Sequence, residues 1–295
     1  MAQQPNLTER QSPRMGKGSE LGKRVLSALV LAPVVLIALY AGSPYSDILV
    51  LVAGVLMIWE WSTIIGCKPF GTVMVVAIVM VGLSLVFAAF GYYQIAVWLC
   101  LAGAAGCAFF DLNRQKDETG REMDDEIPNS KRSLWLAFGI IYLCLACLSF
   151  LWLRSLAFEV ILLVLIIVWV TDTGAYFVGR KIGGAKLAPK ISPGKTWAGF
   201  FGGVVLAAFA AAGMTLIYEV EGFNILKLFV VGGVLAAVSQ AGDLLESHLK
   251  RQHNVKDSSG LSPGHGGILD RADGLLAAVL CLGGMIWSMD LGFIN

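Results

Sequence analysis

Nine separate stretches of this chain each run for about twenty residues with few charges, the length a helix needs to cross a bilayer. They fall near 25–42, 46–66, 71–91, 92–110, 133–153, 157–179, 197–218, 225–247 and 268–290. Lipid offers the backbone no water to bond, so such runs must satisfy their own amides as helices. Composition agrees: 57% of residues are hydrophobic and 15% charged, against roughly 45–50% and 25% for soluble proteins. The expected fold is an all-α polytopic integral membrane protein of nine transmembrane helices. A disordered chain and an ordinary soluble enzyme are excluded. A net charge of +1 makes no case for nucleic acid as a partner. Residues 1–24 are polar, hold Pro, Gly and Ser, and read as a disordered cytosolic tail, not a cleaved leader. All six cysteines lie in or beside apolar runs, and Cys144-x-x-Cys147 has no second pair or histidine, so packing is the expected role.

Basic residues set the orientation. With the N-terminus cytosolic, alternate loops on the inside collect 19 of the 22 Lys and Arg. The outside keeps Arg154 and Lys227, while Arg271 falls just inside the last span on the cytosolic side. Retention of Lys and Arg on the cytoplasmic side is the rule for such loops. It places the N-terminus in the cytosol and the C-terminus outside.

Acids within spans are costly, at least about 2.5–3.5 kcal/mol each at mid-bilayer, so each asks for a reason. Glu60, Glu159, Asp172, Asp243, Glu246, Asp270 and Asp273 are the cases. The topology puts Asp172, Asp243, Glu246, Asp270 and Asp273 near the cytosolic ends of the sixth, eighth and ninth spans. Asp243, Ser247 and Lys250 share one helical stripe with Glu246 beside it, and Asp270 and Asp273 share another face. Oxygen ligands from several helices suit a hard cation such as Mg²⁺. Helix-end capping explains Glu159 better, and it competes on level terms for Glu60, which Trp59 and Trp61 flank.

Two cytosolic loops complete the pattern. One is Arg180-Lys-Ile-Gly-Gly-Ala-Lys-Leu-Ala-Pro-Lys-Ile-Ser-Pro-Gly-Lys-Thr196. The other is Lys256-Asp-Ser-Ser-Gly-Leu-Ser-Pro-Gly-His-Gly-Gly267. Glycines, hydroxyls and cations together let backbone amides approach phosphate oxygens. Gly194-Lys195-Thr196 is not a P-loop, because Pro189 stands where its first glycine belongs and no parallel sheet is expected.

The run from Ser247 to Asp273 resembles the signature of the phosphatidate cytidylyltransferases (CDP-diacylglycerol synthases). That pattern is S-x-φ-K-R, four residues, K-D, a polar stretch, then P-x-H-G-G-φ-x-D-R-φ-D. The sequence departs from it at Ser262 and Ala272, where the family usually has an aliphatic and a larger residue. Asp172-Thr-Gly-Ala-Tyr-Phe-Val-Gly-Arg-Lys, Ile191-Ser-Pro-Gly-Lys-Thr-Trp-Ala-Gly199 and Gly242-Asp243-Leu-Leu-Glu-Ser247 are also similar to the family. The strong likeness covers about 165–290; upstream, only the Glu60-Trp61 pair joins it.

The resemblance implies a reaction: CTP and phosphatidic acid give CDP-diacylglycerol and pyrophosphate, in phospholipid biosynthesis. It implies Mg²⁺, with a second cation left open, and Asp243, Asp270 and Asp273 as its ligands. Asp243, Lys250, Asp270 and Asp273 are the implied catalytic set. Asp172, Lys195, Ser247, Lys256, His265 and Arg271 are the implied substrate contacts. Residues 25–153 then form N-terminal membrane helices, and 154–295 the catalytic helices with both phosphate loops. The expected location is a bacterial inner membrane, with the site facing the cytoplasm. A homodimer is implied too, and the small side chains of Ala207, Ala208, Ala210, Ala211 and Ala212 permit close helix packing.

Three other readings fit less well. A CDP-alcohol phosphotransferase pattern starts at Asp270 but needs Arg where Ala278 stands and Gly where Trp287 stands. A cation-coupled transporter spreads its acids along a path through the bilayer, whereas these gather at one face. A CTP-dependent isoprenoid alcohol kinase is chemically nearer and would release CDP instead of pyrophosphate.

Overall fold

The computed structural model describes residues 32–117, 129–218, 224–259 and 266–290. The helices are α1 (Ala32–Ala41), α2 (Tyr45–Ile64), α3 (Thr72–Ala89), α4 (Tyr93–Asp117), α5 (Asn129–Leu156), α6 (Phe158–Ile182), α7 (Trp197–Gly213), α8 (Ile225–Gln252) and α9 (Leu269–Asp290). Among the described residues, eight helices are long and apolar enough to cross a membrane. Of the expected first span, Ala32–Ala41 is helical and the rest lies outside the described residues, as does the expected tail 1–24. Large apolar side chains such as Trp98, Phe201, Phe209 and Val230 stand exposed on the outside of the bundle. The chain is an integral membrane protein.

Glycine or asparagine stops three of the helices in the same way. After α3, Gly91 takes φ +84, its N–H reaches Ala88 O, and Tyr92 N–H reaches Phe87 O. Gly66 and Cys67 repeat this after α2, and Asn254 (φ 55) with Val255 after α8. These paired bonds satisfy carbonyls that a helix end otherwise leaves open. The turn at Gly91 is therefore a true break between two spans. Asn254 serves because its short polar side chain tolerates left-handed backbone better than most residues do.

The segment expected as a loop between the sixth and seventh spans instead holds a small antiparallel hairpin. Its strands are β1 (Lys186–Ala188) and β2 (Ser192–Thr196), joined by a three-residue turn over 189–191. Strands this short carry too little alternation to be read from sequence. The hairpin leads directly into α7, whose first turn is capped by Thr196 Oγ1 accepting from Gly199 N–H at 3.1 Å.

Helices α6 to α9 approach closely through small residues. A side chain at Gly199 would meet Ala175 O at 2.7 Å, and one at Gly242 would meet Asp273 O at 2.7 Å. The alanine run of α7 is spent inside the chain: Gly232 of α8 packs on Ala207, Ala208 and Ala211. Helix α5 packs against α2, α3, α4, α6 and α9, and so joins the two halves. Cys144 and Cys147 are buried on it, with free thiols.

Candidate active site

The functional side chains gather where α8 ends and α9 begins. Helix α8 presents Asp243, Glu246, Ser247 and Lys250 over two turns. Ser247 Oγ donates to Asp243 Oδ1 at 3.3 Å, as their i, i+4 spacing allows. Lys250 turns away from that stripe. Its Nζ donates to Glu246 Oε1 at 2.8 Å and to Asp270 Oδ1 at 2.6 Å. The cation on Asp243 comes instead from the hairpin: Lys195 Nζ lies 2.5 Å from Asp243 Oδ2. A second link ties the hairpin to α8, with Arg251 Nε donating to Ile191 O at 3.4 Å.

Asp270 organises the start of α9. Besides Lys250, its carboxylate accepts from Gly267 N–H (2.7 Å), Ser258 N–H (3.0 Å) and Ser258 Oγ (2.9 Å). The bond from Gly267 spans three residues, as a capping box does. A second carboxylate reaches the same helix start from far away in sequence. Glu60 of α2, wholly buried, accepts from Leu269 N–H (2.7 Å), Ile268 N–H (3.0 Å), Ser259 Oγ (2.6 Å) and Ser258 Oγ (3.2 Å). Removing a carboxylate from water costs several kcal/mol, so a buried one must be matched by donors. Four surround this one, two of them amides at a helix N-terminus, where the dipole favours negative charge.

The paired glycines of the second loop now have a steric reason. Gly266 has φ +73, and a side chain there would run into Asp270 Oδ2. At Gly267 a Cβ would collide with Ser258 Oγ and Glu60 Oε1. Only glycine lets the backbone pass between the two carboxylates. Close approach to phosphate, the reason expected from sequence, is therefore not needed to account for these two positions.

Asp172, Asp243 and Asp273 stand on α6, α8 and α9, three helices that pack against one another. Asp172 is exposed, Asp243 half-buried, and Asp273 Oδ1 accepts from Gly274 N–H at 2.7 Å. Among the described residues, no three His, Cys, Asp or Glu side chains close into a ready metal cage. Asp270 has four donor groups on its two oxygens, so as a metal ligand it has to release one. Asp243 and Asp273 are less committed. Lys256 and Arg271 are exposed beside this cluster, and His265 lies outside the described residues. The residue whose importance the sequence understated is Glu60. Its signal was an acid inside a span with no basic residue at helical spacing on its own helix.

The fold and site are those of a polytopic membrane protein with a lysine-paired acid cluster, and the chain is a member of the cytidylyltransferase family, which it matches over residues 22–289. It is 34% identical to the phosphatidate cytidylyltransferase of Brucella suis over 273 residues, covering 90% of this chain and 92% of that protein. The Haemophilus influenzae phosphatidate cytidylyltransferase is 34% identical, covering 88% and 96%, and that of Pseudomonas aeruginosa 33%, covering 92% and 99%.

Proposed function

We propose that this protein transfers the cytidylyl group of CTP to phosphatidic acid, giving CDP-diacylglycerol and pyrophosphate for phospholipid biosynthesis. The observation that carries the reading is the pair of lysines, Lys195 and Lys250, held by Asp243, Glu246 and Asp270 at one end of a membrane bundle. Relatives of similar length named phosphatidate cytidylyltransferase support it. The bacterial relatives support an inner-membrane location, and the distribution of basic residues supports a site toward the cytoplasm.

The chemistry joins one oxygen of the lipid phosphate to the α-phosphorus of CTP and breaks the bond to the β-phosphate bridge. A phosphomonoester has a second pKa near 6, so it arrives as a nucleophile without a strong base. The protein's task is to place donors and charge around the transferring group and the leaving pyrophosphate. Lys195 and Lys250 are the proposed phosphate contacts, each releasing a carboxylate partner as it engages. Ser247, Lys256, His265 and Arg271 extend that role, and Asp172 lines the same space. Asp243 and Asp273 would hold Mg²⁺, with Asp270 joining by giving up a donor. Such an ion commonly takes one or two carboxylates with phosphate and water, and when bound it offsets charge on the phosphates. A homodimer belongs to the proposal as well, through a face other than the α7 alanine run. The test is product analysis of the purified protein with CTP, Mg²⁺ and phosphatidic acid. Pyrophosphate released only when phosphatidic acid is present supports the reading, and CDP as the nucleotide product would assign a kinase.

A further inference from the structure

We infer that Glu60 is a positioning residue for this reaction: from α2 it fixes the segment that carries Asp270 and thereby sets the place of Lys250. The inference rests on the cytidylyltransferase reading for its consequence and on geometry for its cause. Ser258 Oγ is the shared element, 3.2 Å from Glu60 Oε2 and 2.9 Å from Asp270 Oδ2. Asp270 in turn holds Lys250 at 2.6 Å. A chain of contacts therefore runs from α2 to the phosphate-binding lysine, through groups that are buried or nearly so. Glu60 also takes the first two amides around the start of α9, Ile268 and Leu269, which have no intrahelical acceptor.

Among the described residues, the hydrogen bonds of Glu60 all go to the α8–α9 segment and the start of α9. Trp61 beside it sends its indole N–H to Trp135 O at 2.9 Å, locking α2 to α5. The carboxylate is thus held on a rigid wall, and the loop is moulded onto it. Gly267, with no room for a Cβ between Glu60 and Ser258, completes the fit. A side chain that only stabilised α2 would bond within α2 or to its packing partners. Glu60 instead bonds Ser258, Ser259 and Ile268 between α8 and α9, and Leu269 at the first position of α9.

The experiment compares wild type, Glu60→Gln, Glu60→Asp and Ser258→Ala in detergent. Hydrogen exchange across 256–272 is read alongside steady-state kinetics on CTP and phosphatidic acid. Glutamine keeps one acceptor oxygen and turns an N–H₂ toward amide and hydroxyl donors. Exchange at Ile268 and Leu269 should therefore quicken while α2 and α3 stay protected. Loss of one charge-assisted bond predicts a drop of about 10- to 150-fold in kcat/KM. The apparent KM for CTP should rise along with the fall in kcat, which loss of folded protein alone does not produce. Glu60→Asp should recover part of the activity, and Glu60→Gln with Ser258→Ala should lose less than the two single losses combined, because both act through one hydroxyl. Unchanged exchange at Ile268 and Leu269 in Glu60→Gln overturns the inference, and so does loosening spread equally over α2 and α3. Ser258→Ala keeps the test open if Glu60→Gln does not fold, since it alters only the loop. Exchange is read without turnover, so a wild type that makes no CDP-diacylglycerol defeats the enzymatic reading and leaves the positioning result legible.

Discussion

Lys195 Nζ stands 2.5 Å from Asp243 Oδ2, joining the base of a small hairpin, where β2 runs into α7, to the C-terminal half of a membrane helix. Neither residue is near the other in sequence, and the ammonium sits where a cation brought by substrate would compete for the same oxygen. A protonated lysine has no lone pair for a metal but can offset phosphate charge. The pair is therefore expected to separate when nucleotide arrives.

Lys195→Ala is accordingly expected to lower catalytic efficiency with CTP by roughly 10–150-fold, the worth of one charge-assisted bond. The Mg²⁺ concentration at half-maximal rate should not rise, because a competitor for Asp243 has been removed. Titrating Mg²⁺ at several fixed CTP concentrations checks this, with free and CTP-bound ion counted separately. A large rise in the Mg²⁺ requirement would place Lys195 on the metal side of the site.

Asp243→Asn and Asp270→Asn should both abolish turnover, but they should differ in stability. Asp243 is half-exposed and meets two side chains, so its amide variant should melt within a degree or two of wild type. Asp270 holds Lys250 and two amides, and losing a hydrogen bond to a charged group costs about 1.5–3 kcal/mol. Thermal unfolding in detergent should show a clear drop for Asp270→Asn. Equal melting temperatures would mean that the carboxylate at Asp270 is not what organises the loop.

The loop glycines should rank. Gly266→Ala forces a left-handed backbone on a residue with a side chain, at about 1–2 kcal/mol, and presses its methyl on one carboxylate, that of Asp270. Gly267→Ala drives a methyl into Ser258 and Glu60, so the carboxylate network itself must open. Activity per folded molecule should therefore fall further at Gly267 than at Gly266. The reverse order would show that the network tolerates displacement.

Eight of the nine expected spans and the acid-bearing stripes were legible in the sequence, with some ends off by four to seven residues, because apolar runs and i, i+4 spacings report local geometry directly. The pairing of the lysines was not. The stripe joining Asp243 to Lys250 suggested one partner, but the long lysine stem reaches both Glu246 one turn back and Asp270 on α9. Spacing along one helix cannot say which carboxylate of a neighbouring helix wins. Lys195 meeting Asp243 depends on a hairpin whose strands are too short to show a period. Glu60 was visible as an acid inside a span, yet its donors lie about two hundred residues away and only the fold brings them to it.

Topology has its own test. Ser258 is buried, so a labelling probe belongs at exposed Lys256. In a cysteine-free background, Lys256→Cys should react with a membrane-impermeant reagent only from the cytoplasmic side. Lys227→Cys, exposed at the start of α8, should react only from outside. Labelling of both from one side would undo the assignment of the site to the cytoplasm.

The central claim is tested most directly by following the phosphorus atoms of CTP. Purified protein in vesicles containing phosphatidic acid is given Mg²⁺ with CTP labelled at either the α- or the γ-phosphate. The account predicts that the α-label enters a lipid migrating as CDP-diacylglycerol, while the γ-label leaves as pyrophosphate in equal amount. A γ-label recovered in lipid with release of CDP, or no phosphatidic-acid-dependent turnover at all, would contradict it.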